Sequence, residues 1–214
     1  MSWRMSINQD DMIKYCNCME EIKLRITLIR SVLRGTSLGR EDFDYELVGL
    51  QLRKILELIA FSSLVANREV YSEVHEKYLH EWRTSRLLEN IEKLNPNFYP
   101  KSLSTSYRDS AGTSHFPESK KAFLTRNDFT KLLNLCSDLL HVWNPYSPKE
   151  KKIDFEIPVL EWVEKIQWLL DIHCVQLTNS ENVLLVFMQE HDGNVHVYDA
   201  GVSSKTPVSE HFSQ

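Results

Sequence analysis

The sequence is poor in the features that most readily betray a function. It has no run of about 18 consecutive apolar residues, so no segment reads as a membrane-spanning helix. Glycine is scarce, six in 214 residues, and none falls in a glycine-rich phosphate loop, so a nucleotide cradle is not expected. Gly-x-Ser-x-Gly, EF-hand and His-Glu-x-x-His patterns are missing too, which excludes the hydrolase, calcium and metalloprotease readings at the level of motif. His75 and His80 lie among Glu73, Glu76 and Glu81, but at spacings that fit a solvated charged face. The four cysteines form no Cys-x-x-Cys pair: Cys16 and Cys18 are one residue apart, and Cys136 and Cys174 are isolated. A structural zinc site is therefore not expected, nor any other cofactor or metal. No apolar stretch precedes Asp10 and Asp11, so nothing resembles a secretory leader and a cytoplasmic location is expected. A net charge of -5 argues against binding nucleic acid through the overall field, though not against a local basic patch.

What is present is helical periodicity. From about 9 to 34, Met12, Cys16, Met19, Ile22, Ile26, Ile29 and Leu33 recur at steps of three and four, giving one apolar stripe. Gly35 and Gly39 break it. From about 41 to 66 apolar residues surround most of the circumference, as a helix central to the core requires. Within it Arg53 and Glu57 stand one turn apart, either on a polar edge or facing a cleft. Residues 67–82 continue as helix or helical hairpin, and 84–94 form a helix stopped by Asn95-Pro96. Residues 96–124 hold Pro96, Pro100, Pro117 and Gly112 among serines and read as a long loop or flap.

Thr125-x-x-Asp128 has the spacing of a capping box, with aspartate in the third position. The helix it opens carries Phe129, Leu132, Leu133, Cys136, Leu139, Leu140 and Trp143 on one face. Pro158 suits the start of a last helix reaching about Ile172. The period then falls from about 3.6 to 2, and Val175 to Tyr198 read as three strands in meander order. Asp192-Gly193 marks a type I′ hairpin turn, and alternation places His196 outside. The expected fold is mainly α (α+β): a bundle of about five helices over residues 1–173, a C-terminal three-stranded antiparallel β-meander over 174–200 packed on it, and a flexible tail over 201–214.

One helix carries a row of polar groups. Asn134, Asp138 and His141 stand at i, i+4 and i+7, on a single face. A histidine above a carboxylate and an amide can be held in one tautomer and move protons near neutral pH. The plainer alternative is a histidine that stabilises a helix C-terminus through the macrodipole.

A late helix with a polar residue, a gap, then His141 followed by Asn144-Pro145 resembles the HEPN superfamily. The resemblance covers about residues 9–172, and its specific part is the segment from Asn134 to Asn144-Pro145. It implies a helical bundle, commonly dimeric, of the kind found in toxin–antitoxin, abortive-infection and other antiviral systems. Active members are metal-independent RNases that use an arginine, a following polar residue and a histidine. Here Asn134, Leu135 and Cys136 fill the places where that arginine belongs, and the nearest, Arg126, is too far away in sequence. Asparagine cannot supply the positive charge a phosphorane-like transition state needs. Arg53 or Arg108 would have to come from elsewhere in the fold.

The expected function is accordingly an HEPN-like interaction or assembly module without catalysis, in a prokaryotic defence or toxin–antitoxin setting. Its expected partners are a second copy of the chain or an operon partner protein, and no membrane. Trp143, Trp162 and Trp168 would anchor core or interface. The first alternative is an HEPN-type RNase acting on RNA, with His141 as base, Asn134 and Asp138 beside it and Arg53 completing the site. The second is a small-molecule sensor with its cleft under residues 96–124.

Overall fold

Five helices and six short strands are found among the residues described by the computed structural model, which are 7–35, 41–68, 84–142, 146, 154–177 and 182–201. Helix α1 (Gln9–Leu33) starts where the Asn8 side chain accepts the Asp11 N–H at 2.8 Å. This satisfies one of the amide groups that the first turn of a helix leaves without a backbone partner. Of the stripe read from the sequence, Met19, Ile22, Ile26 and Ile29 are buried, Met12 and Cys16 are half-buried and Leu33 is turned outward, while Tyr15 and Val32 join the buried face. The carboxylate of Asp11 is itself buried, and it is bonded by Asn8, Lys14 and Arg68. Burial pushes its pKa up, but these three partners outweigh burial and hold it below the usual carboxylate range.

Helix α2 (Glu41–Ala66) packs on α1, on α3 (Thr84–Leu94) and on α4 (Arg126–Leu140), the central position its apolar circumference predicts. Gly49 lies against Leu139 of α4, and Arg53, one turn further along α2, lies near Cys136. The two helices are therefore antiparallel. The segment expected to continue the helix after α2 lies, beyond Arg68, outside the described residues. At the other end of the core, Asn95 donates to Asn67 and to the Gln176 carbonyl, 2.8 Å each, binding the ends of α2 and α3 to the sheet.

Helix α5 (Val159–Leu170) is separated from the sheet by Asp171 alone. The sheet has four strands, not three. To β4 (Ile172–Gln176), β5 (Asn182–Phe187) and β6 (His196–Gly201) it adds β1 (Lys101–Ser102), antiparallel to β4, in the order β1-β4-β5-β6. The added strand comes from the region read as a loop. After β1, Leu103 and Ser104 pair back with Glu118 and Pro117, and β2 (Tyr107–Arg108) pairs with β3 (Ser114–His115) around a turn at Asp109–Gly112. The segment is a long hairpin rooted in the sheet. Its serines and threonines lack the apolar alternation that marks a strand, because the hairpin leans on the molecule instead of crossing its core.

The β5–β6 connection also differs from the expected turn. Only Gly193 has positive φ; the Gly193 N–H donates to Glu190 at 2.9 Å and the Glu190 N–H donates to Asn194 at 3.1 Å. This is the three-residue hairpin in which a type I turn is closed by glycine in the left-handed region. A type I′ turn needs two such residues, and the Asp192 carboxylate instead accepts from the Asn194 N–H and bonds His196. Along β6, Val197 faces Val186 of the inner layer, while His196 stacks on Tyr198 on the outer side.

Candidate functional site

Helix α4 opens with the capping box: the Thr125 hydroxyl accepts the Asp128 N–H, and Asp128 accepts the Thr125 N–H. Lys165 of α5 donates to the same Asp128 carboxylate at 3.0 Å, locking the start of α4 to the last helix. Burial works to raise that carboxyl, and the lysine and the cap together hold it below its ordinary value.

The apolar face of α4 is buried through Leu139, and the helix ends at Leu140. His141 is its C-cap. Its N–H still donates to Ser137, and its φ of -75° keeps its Cα–Cβ bond on the helical path. Asn134, Asp138 and His141 therefore project from one face, and all three are exposed. The ψ of 134° at His141 sends the chain away from the axis at Val142. Trp143 and the Asn144-Pro145 pair, expected to extend this segment, lie outside the described residues.

Arg53 lies on the neighbouring helix, with its Nε engaged. Its guanidinium donates to Glu57 at 3.1 Å, and Lys54 holds the other oxygen of that carboxylate at 3.0 Å. The pair is the polar edge of α2, with side-chain exposures of 39% for Arg53 and 17% for Glu57. In the antiparallel register Arg53 reaches α4 near Cys136, about 7 Å along the axis from the level of His141. Burial drives the Cys136 thiol up to about 12, and the arginine only moderates that rise, so this sulfur is a packed group and no nucleophile. Arg126 is occupied elsewhere, on Thr130 and over the Phe129 ring.

A second histidine, not singled out from the sequence, is chemically more constrained. His173 on β4 is 0% exposed. Its Nδ1 is 2.7 Å from the Leu170 carbonyl, which can only accept, so Nδ1 carries the proton. Nε2 must then accept from the Tyr15 hydroxyl at 2.8 Å. Burial holds the imidazole neutral, with its pKa lowered to about 4, and raises that of Tyr15. The inward alternation of Val175 on β4, carried back one step, reaches His173; that was the available signal. Fully buried and held on both ring nitrogens, this ring is a structural bolt between α1 and β4.

The remaining surface has an apolar end. Leu33 closes α1, Phe43 and Tyr45 open α2, Leu160 opens α5 and Val142 follows α4; all are exposed, as is Tyr146. Leu33, Tyr45 and Leu160 border a cavity of about 550 Å³ floored by Phe155 and Val159. Between the lining residues Phe155 and Ile157, Glu156 adopts a φ of 64°, with its N–H donated to Asp154. A smaller cavity of about 280 Å³ lies at the base of the β2–β3 hairpin, between Tyr99, Lys101 and Glu118. Among the described residues no helix is long and apolar enough to cross a membrane, and no cluster of three metal-ligating side chains occurs. Compared with known proteins, the chain matches no family model, and no curated protein or solved structure is significantly similar to it.

Proposed function

We propose that the chain is an HEPN-like interaction and assembly module that pairs with a second copy of itself through the apolar end of its bundle, without catalysis of its own. The observation that carries this reading is the gathering of Leu33, Tyr45 and Leu160, all exposed, around one cavity where α1 ends and α2 and α5 begin. Apolar side chains scattered singly over a surface are ordinary, but a group of them rimming a concavity favours contact with another protein. The absence of catalysis is supported by Asn134, Leu135 and Cys136, which fill the places of an arginine on α4, and by the bond from Arg53 Nε to Glu57. A place in a prokaryotic defence or toxin–antitoxin system belongs to the same proposal and rests on the resemblance of the α4 segment.

Sedimentation velocity tests the pairing. The wild-type chain is expected to dimerise, and Tyr45→Glu with Leu160→Glu to raise the dissociation constant at least tenfold while leaving the circular dichroism spectrum unchanged. A chain that stays monomeric at the highest concentrations, or a charged variant that dimerises as well as wild type, overturns it.

A second reading, a metal-independent RNase using His141, is favoured by the exposed row of Asn134, Asp138 and His141. It requires a cation beside His141, and Arg53, whose Nε donates to Glu57, is the candidate on the neighbouring helix. On the proposal made here, RNA incubated with the purified chain remains intact, and His141→Ala behaves as wild type. Cleavage that is lost in both His141→Ala and Arg53→Ala would replace the module with the nuclease.

A further inference from the structure

Away from the apolar end, α1, the last turn of α5 and the start of the β5–β6 connection enclose a cleft of about 220 Å³. Lys23, Ile26, Thr27 and Arg30 line it from one face of α1, at steps of three, one and three. Opposite stand Gln167, Leu170 and Asp171, with Met188 from the connection. Two of these cations differ in how they are used. The Lys23 ammonium is spent on structure, donating to the Gly193 carbonyl at 2.7 Å and pairing with Glu20 at 3.0 Å. Arg30 donates once, to the Gln167 side-chain oxygen at 2.7 Å, and pairs with no carboxylate among the described residues. That contact orients the guanidinium and leaves most of its five donors uncommitted.

We propose that this cleft is a binding site for a small monocarboxylate with a short apolar chain, anchored by the Arg30 guanidinium. A planar guanidinium with free donors matches a carboxylate bidentately. The apolar chain has its floor in Ile26, Leu170 and Met188, all buried side chains that line the cleft. The charge of the lining selects against dianions. Lys23 and Arg30 oppose one carboxylate, Asp171, which caps the C-terminus of α5, where the helix end is already negative. Asp171 is 63% exposed and lies 3.9 Å from Lys121, so it forms the rim rather than the floor. A phosphate monoester would bring a second negative charge against it. The volume holds about seven water-sized groups, which suits an acid of a few carbons and is below the range of drug-sized ligands.

Titration of the full-length chain with butyrate and hexanoate, followed by NMR of the methyl groups, tests the site; the matching alcohols and inorganic phosphate serve as comparisons. Saturable shifts at Ile26, Leu170 and Met188 are expected with both carboxylates, with hexanoate binding more tightly. The alcohols should shift nothing saturably. Arg30→Met is expected to weaken carboxylate binding at least tenfold, and Arg30→Lys, which keeps the charge but loses the fork, by a smaller factor; unchanged methyl dispersion elsewhere reports that each variant is folded. Equal binding by Arg30→Met, or no saturable shift with either acid, overturns the site. Tighter binding of phosphate than of hexanoate overturns the assignment of the ligand as a monoanion.

Discussion

Replacing His173 with alanine is expected to cost about 3 to 5 kcal/mol of folding free energy, the sum of a cavity and two abandoned hydrogen-bonding groups. The side chain has no exposure, and its ring meets the Leu170 carbonyl on one side and the Tyr15 hydroxyl on the other. Without it the phenol loses the acceptor that lets it be buried, and the carbonyl at the end of α5 loses its donor. For a chain of this size the loss corresponds to a fall in Tm of about 10 °C. The same residue dictates a pH dependence. The folded state holds the imidazole neutral, its pKa lowered to about 4 from 6.5. Above pH 6.5 neither state takes a proton there, and the contribution is complete. Between pH 6.5 and 4 the unfolded chain binds a proton that the fold refuses, so stability falls as the pH falls, by up to about 3 kcal/mol. Below about pH 4 the folded state titrates as well and the slope flattens. Urea titrations at several pH values, on wild type and on His173→Phe, separate this contribution from the carboxylates: the phenylalanine variant should lose the part of the slope between pH 6.5 and 4. Identical slopes would show that His173 is not the group responsible.

The second large effect is expected at Gly49. Glycine within a helix costs about 1 kcal/mol relative to alanine, so Gly→Ala at an open position stabilises. Here a Cβ would stand 2.3 Å from Leu139 Cδ2 and 3.2 Å from its Cγ. Gly49→Ala is therefore expected to destabilise, by about 1 to 2 kcal/mol, and Gly49→Leu by about 3 kcal/mol or more, since overpacking must displace α4. Leu139→Ala alone leaves a cavity and costs about 2 to 4 kcal/mol. The double variant Gly49→Ala with Leu139→Ala should cost clearly less than the two singles together, because the new methyl group occupies the space vacated by the leucine. A double-mutant cycle by urea unfolding measures the coupling. Stabilisation by Gly49→Ala, or simple additivity, would mean that the helices are not in close contact at this point. The contact bears on function because it fixes the register of α2 against α4, and with it the level at which Arg53 meets α4.

What sequence alone determined about this protein is local. The steps of three and four along α1 and α4 established two helices and most of their inner faces, since each apolar position is defined by neighbours one turn away, and the apolar circumference of α2 marked it as central. Thr125 and Asp128 marked the start of α4 because both halves of a capping box lie within four residues. Gly193 marked a turn, and the alternation from Val175 onward marked strands. The row of Asn134, Asp138 and His141 was legible for the same reason, as helical geometry alone places three residues on one face.

Tertiary structure decided everything that depends on partners distant in the chain. β1 exists because Lys101 and Ser102 find Cys174 and His173, and no property of residues 96–124 by themselves selects that strand. The turn at Gly193 took its type from the Asn194 and His196 bonds to Asp192, which outweighed the pattern of the dipeptide. Arg53 was a candidate partner for His141 in the sequence, and packing set it on the polar edge of α2 with Glu57, near Cys136 of α4. His173 became a doubly bonded, buried histidine only when α1 delivered Tyr15 from 158 residues away. The cleft at Arg30 is likewise the product of a helix, a helix end and a strand connection meeting. Charge and burial are properties of such meetings, and a sequence specifies them only through the whole fold.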